Sequence, residues 1–95
     1  MNIELTARHF HAPDSLKIYA QDEIQKLERY FPRIIQCQVI LSHENNKYTT
    51  EINLSIPKRK LNVKETTGNV TKSIDGAVSK MAGRISKFKG KRNRI

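Results

Sequence analysis

The spacing of apolar residues changes period twice along this chain, and that switching constrains the fold more than any other feature. The first run, NIELTAR, sets Ile3, Leu5 and Ala7 on one side and Asn2, Glu4 and Thr6 on the other, the pattern of a half-buried strand. The next stretch, PDSLKIYAQDEIQKLERYFPR, repeats at three or four: Leu16, Ala20, Ile24, Leu27 and Phe31, with Tyr19 and Tyr30 widening the stripe. It predicts an amphipathic helix that opens near Pro13-Asp14 and is halted by Pro32. Alternation then resumes. Ile35, Cys37, Val39 and Leu41 share one face, Asn45-Asn46-Lys47 supply a turn, and Tyr48, Thr50, Ile52, Leu54 and Ile56 share the facing side of a hairpin. PKRK at 57–60 reads as a turn or a basic edge, and Leu61 and Val63 point inward from a further strand. Thr67-Gly68-Asn69 breaks that strand, with Asn69 placed to cap a helix. The last helix is expected from Val70 to about Lys89, buried along Val70, Ile74, Ala77, Val78, Met81, Ile85 and Phe88 and stopped by Gly90.

The order is therefore β-α-β-β-β-α. Every strand has one apolar face, and only the helices can cover it. The expected fold is an α+β two-layer sandwich: a four-stranded sheet with both helices on one face. A right-handed crossover through the first helix makes the first two strands parallel, and the others should be antiparallel. At 95 residues the chain is one domain, 1–95, with a thin core and little volume for a deep substrate pocket.

Cys37 has no partner for an internal disulfide and sits in an alternating run, as a core thiol would. No apolar stretch near Met1 resembles a secretory signal, and the longest apolar run, Val39-Ile40-Leu41, is far short of a membrane span. The expected compartment is the reducing cytoplasm, with no membrane partner. His9, His11 and His43 lack the spacing of a metal site, and no phosphate-loop or Ser/His/Asp pattern is present. Neither a cofactor nor an enzymatic activity is expected. Tyr19, Tyr30 and Tyr48 fall at apolar positions and read as core residues rather than stacking platforms.

Charge gives the functional direction. The net charge is +9. Residues 1–57 are nearly neutral, with six basic and seven acidic side chains, whereas residues 58–95 carry twelve basic and two acidic ones. Such asymmetry fits a polyanionic partner, nucleic acid before an anionic membrane. On a wheel of about 100° per residue, Lys80, Arg84, Lys87 and Lys91 form one row beside the buried stripe, and Lys72 extends the same side. The row is expected to line a shoulder between the two helices, where Lys26, Arg29 and Arg33 extend it from the end of the first helix. No acidic residue follows Asp75, so i,i+4 pairing cannot balance the row within its own helix. Lys89 falls near 180° on that wheel, away from the row. Lys91, Arg92 and Arg94, beyond Gly90, are expected to form a flexible basic end that orders on RNA. Gly76 and Gly83 each cost about 1 kcal/mol of helix stability relative to Ala. They permit either close approach of an RNA backbone or a tight packing contact.

Three stretches together resemble a known family: LTARHF at the end of the first strand, KLERYFPRI at the end of the first helix, and SIDGAVSKMAGRISKFKGK in the second. The chain is similar to the ribosome hibernation promoting factors and ribosome-associated inhibitors, also described as sigma-54 modulation proteins, in their short form. The resemblance implies a fold related in topology to double-stranded RNA-binding domains. It further implies binding to the 30S subunit and the 70S ribosome, in the channel for messenger RNA and for A- and P-site transfer RNA, through contacts to 16S ribosomal RNA. Translation would be blocked and idle ribosomes preserved under stress or in stationary phase. By position the contacts would fall to Arg8, Lys26, Arg29, Lys80, Lys87, Lys89 and Lys91. Two departures stand out: Gly83 replaces a frequent Arg, and Asn69-Val70-Thr71 opens the second helix without the usual aromatic. The expected state of the free protein is a monomer. A general double-stranded RNA-binding module is the alternative reading, since shape readout of a duplex needs the same charges.

Overall fold

A computed structural model describes the chain from residue 1 to residue 92, with side chains described as far as Phe88. It contains β1 (Asn2–Arg8), α1 (Asp14–Gln25) continued by a 3₁₀ turn (Lys26–Arg29), β2 (Gln36–Glu44), β3 (Lys47–Ile56), β4 (Arg59–Thr67) and α2 (Val70–Arg92). The sheet order is β1-β2-β3-β4. β1 and β2 are parallel, with Leu5 opposite Val39, and the other two pairings are antiparallel, with Val39 opposite Ile52 and Ile52 opposite Val63. The two-layer α+β arrangement anticipated from the hydrophobic periods is the one observed.

Both hairpins rest on local backbone chemistry. Asn45 and Asn46, at φ 52° and 60°, make the two-residue loop between Glu44 and Lys47. Positive φ at both loop positions is the turn whose twist matches paired strands, and Asn tolerates it. The β3–β4 loop is Pro57-Lys58: the ring fixes the φ of Pro57, and Lys58 takes φ 66°. At the start of α2, Asn69 Oδ1 accepts the Lys72 amide at 3.0 Å, so the cap is formed as expected.

One core joins the layers. Cys37, Val39, Leu41, Ile52, Leu54, Ile56, Leu61 and Val63 from the sheet are buried against Ala20, Ile24 and Leu27 of the first helical segment and Ile74, Ala77, Met81 and Ile85 of α2. Each large side chain contributes about 1.5–3 kcal/mol by leaving water. Thr50 and Ser73 are buried polar residues, and their hydroxyls meet at 2.8 Å. The helices run in the same direction. The Tyr19 hydroxyl donates to Asp75 near their starts, and Phe31 meets Phe88 edge to face, centroids 6.1 Å apart, near their ends.

The structure departs from the sequence pattern at three points. Ile35 is 60% exposed and Ile34 takes the buried position, because strand pairing begins only at Gln36 and the chain leaving Pro32 is still irregular. Tyr30 is 43% exposed: the last turn tightens to 3₁₀ at Lys26, and there Leu27 and Phe31 stay buried while Tyr30 stands outside the stripe. Helix α2 runs through Gly90 to Arg92, so that glycine is not a stop. Residues 93–95 and the side chains of Lys89, Lys91 and Arg92 lie outside the described residues, and with them the expected flexible end.

Candidate nucleic-acid interface

Helix α2 positions its cations by what it buries. Ile74, Ala77, Met81 and Ile85 fix one face on the sheet, so Lys72, Lys80, Arg84 and Lys87 are held at the surface. The row does not line a shoulder between the helices. It leans the other way, over the edge strand β4: Lys80 Nζ donates to the Lys64 carbonyl at 3.0 Å, and Arg84 Nη1 to the Asn62 carbonyl at 3.1 Å. The flank of α2 that meets α1 carries Asp75, held by Tyr19. Donating to Asp75 is the main reason the Tyr19 hydroxyl is pushed up to about 12.

The row also has an acid that its own helix lacks. Glu65 of β4 pairs with Lys80 at 2.6 Å. The side chain of Glu65 lies along α2 at Gly76, where a Cβ would stand 2.6 Å from Glu65 Cγ. Gly76 is thus a packing glycine. Gly83 is different: a Cβ there meets nothing within 4 Å, and the helix surface is open.

The remaining sequence-derived positions fall in two places. Lys26, Arg29 and Arg33 lie exposed at the end of the first helical segment, with Lys26 paired to Glu23 at 2.7 Å. Because the helices are parallel, these residues share an end of the molecule with Lys87. Cationic side chains there also oppose the partial negative charge of the helix C-termini. Arg8 is apart from all of them. It pairs in register with Ser42 at the end of β1 and belongs to the polar outer face of the sheet, opposite the helices.

Sequence reasoning missed Lys58 and Arg59. The hairpin loop carries them to the same end as Arg33, and Arg33, Pro57, Lys58, Arg59 and Phe88 line one open depression of about 450 Å³. The available signal was PKRK itself, three cations behind a proline at a strand end. Cys37, by contrast, is wholly buried, and burial pushes its thiol up to about 12, so it is a core group. His9 lies 3.4 Å from Glu44, and His43 stacks on Tyr48 with centroids 4.2 Å apart.

Fold and surface together define a small α+β domain whose cations gather along one helix flank and at one end. The chain belongs to the family described as Sigma 54 modulation protein / S30EA ribosomal protein, whose model matches residues 3–93. The family resemblance in the two helices is thereby borne out. The ribosome hibernation promoting factor of Escherichia coli K12 is 26% identical over 91 residues, 96% of either chain. That of Azotobacter vinelandii is also 26% identical, over 96% of this chain and 85% of its own. Among solved structures, the N-terminal domain of Thermus thermophilus Protein Y superposes with a TM-score of 0.85 at 27% identity, covering 93% of this chain and 99% of that one. A ribosomal subunit interface protein from Coxiella burnetii shares the fold, with a TM-score of 0.89 at 18% identity over 95% and 99% of the two chains.

Proposed function

We propose that this chain is a ribosome hibernation factor that occupies the messenger and transfer RNA channel of the small subunit. The observation that carries the reading is a cationic helix flank on a chain that aligns over 96% of its length with ribosome hibernation promoting factors. The mechanism is steric. A rigid two-layer domain holds Lys72, Lys80, Arg84 and Lys87 against 16S ribosomal RNA and fills the space of the A- and P-site ligands. No chemical step is required. The factor acts as a monomer in the cytoplasm, on 30S subunits and 70S ribosomes idled by starvation or stationary phase.

Phosphate contacts make such binding steeply salt-dependent. Neutralising about six phosphates implies a loss on the order of a thousandfold between 50 and 200 mM salt. The test is cosedimentation with 30S, 50S and 70S particles across a salt series, with free duplex RNA as competitor. Retention on 30S and 70S against excess duplex is the expected result. Equal affinity for the naked duplex would instead make the chain a general duplex-RNA-binding module.

A further inference from the structure

Arg33 and Arg59 are 26 positions apart in sequence, yet both are held on one pair of aromatic rings. The Arg59 guanidinium carbon stands 5.2 Å from the centroid of Phe88, and that of Arg33 stands 5.9 Å from the centroid of Phe31. The two rings meet edge to face. Lys58, fixed at φ 66° in the hairpin loop, lines the same depression as Arg33, Arg59 and Phe88. A guanidinium over a ring is oriented by the π-face and keeps its in-plane N–H edge for hydrogen bonds. Among the described residues no carboxylate forms an ion pair with Arg33, Lys58 or Arg59, whereas Lys80 and Lys26 each have one. Three cations from two separate segments are therefore brought together with no acidic partner among the described residues, in an open depression.

We propose that this depression is a phosphate-binding site for an RNA backbone, separate from the helix flank. Arg33 and Arg59 donate in pairs to the non-bridging oxygens of a phosphodiester, the bidentate geometry that a guanidinium fork matches. Lys58 adds a point charge beside them. The site rests on the RNA-binding reading above and extends the contact surface from α2 to the β3–β4 hairpin.

The full chain, labelled with ¹⁵N, is titrated with a twelve-nucleotide RNA and separately with inorganic phosphate, following the Nε–Hε signals of Arg33 and Arg59. Both signals should move and saturate with RNA, and at far higher concentration with phosphate. Arg59→Lys keeps the charge but loses the fork, and RNA affinity should fall about three- to tenfold at an unchanged salt slope. Arg59→Gln should lower the slope by about one. Lys58→Gly removes a charge at a position whose φ suits glycine, so its expected two- to fivefold loss of affinity cannot be ascribed to misfolding. RNA binding that leaves both signals and the Lys58→Gly affinity unchanged would overturn the site while leaving the ribosomal reading intact. Phosphate binding as tight as RNA, with RNA affinity untouched by the variants, would make it a free-anion site and also overturn it. Shifts with the oligonucleotide from a chain that fails to cosediment with 30S would support the site and sink the ribosomal reading.

Discussion

Two glycines of one helix should respond to alanine with different outcomes, and the difference separates a packing role from a binding role. At Gly83 an added methyl meets nothing within 4 Å. Gly83→Ala then collects the helix-propensity gain alone, about 0.5–1 kcal/mol. For a chain of this size that raises the unfolding midpoint by about 4–8 °C per kcal/mol. At Gly76 the same methyl would stand 2.6 Å from Glu65 Cγ, 2.8 Å from Oε2 and 2.9 Å from Cδ. The Glu65 side chain must swing away, and its 2.6 Å pair with Lys80 is lost. Lys80 is more than half exposed, so that pair is worth about 0–1 kcal/mol, and the displaced packing adds to the loss. The propensity gain is cancelled, and Gly76→Ala should be neutral or destabilising, about 1 kcal/mol or more below Gly83→Ala. Urea unfolding at constant m-value measures both. Equal stabilisation by the two substitutions, or a loss at Gly83, would refute the reasoning. Cosedimentation then gives the functional half. If RNA approaches α2 closely at Gly83, Gly83→Ala binds small subunits more weakly while unfolding at higher urea, a combination that no folding defect produces.

Other outcomes follow from the same contacts. Lys72 and Lys87 are exposed cations with no acidic partner among the described residues, so Lys72→Glu with Lys87→Glu should leave circular dichroism unchanged. The same variant should weaken small-subunit cosedimentation at least tenfold, by the loss of about two phosphate contacts and the repulsion that replaces them. Thr50→Val removes the 2.8 Å bond to the Ser73 hydroxyl, which keeps its 2.7 Å bond to the Val70 carbonyl, and should cost about 0.5–1.5 kcal/mol in urea unfolding. Adding Ser73→Ala should cost less than the sum of the two single changes, which a double-mutant cycle reads directly. Alkaline pH should destabilise the fold in a defined window. The Cys37 thiol, raised from 9.0 by burial, and the Tyr19 hydroxyl, raised from 10.0 by its bond to Asp75, are both neutral in the folded state up to about 12. Their contribution is complete below the ordinary values and is lost as pH climbs through 9 toward 12. Urea midpoints should fall across that range, and less steeply in Tyr19→Phe.

The sheet was legible because its information is periodic and local. A one-residue slip would turn every apolar side chain outward, so alternation in β2, β3 and β4 fixes the register, and Asn45-Asn46 fixes the hairpin. Legibility failed where a neighbour outside the element decides. Ile35 extends the alternation on paper, but strand pairing starts one residue later. The partner of Lys80 was sought among acids of its own helix and stands instead on β4, at Glu65. The direction in which the row leans was likewise set by β4 carbonyls that no helical wheel contains. Lys58 and Arg59 became part of a site only because the Phe31–Phe88 contact brings the ends of both helices to the hairpin. The sequence announced that positive charge was concentrated from residue 58 onward; packing decided which charges were left free.

That distinction bears on how the net charge should be counted. β4 is an edge strand, and an exposed edge invites pairing with another chain. Lys80 and Arg84 lie across it and bond two of its carbonyls, so part of the helix's charge already serves the fold. If they keep those bonds on RNA, they release few counterions. Among the described residues, the salt slope of binding would then count the cations of this surface that bond neither an acid nor a carbonyl of the protein: Lys72 and Lys87 on α2, and Arg29, Arg33, Lys58 and Arg59 at the shared end. At about 0.9 per phosphate, six such contacts correspond to a slope near five. If Lys80 and Arg84 exchange their internal bonds for phosphates, the slope rises by about two, and Glu65 loses its partner when RNA binds. Glu65→Gln separates the cases. It frees Lys80 in advance: the salt slope should stay as it was if Lys80 already leaves Glu65 in the complex, and rise by about one if it does not.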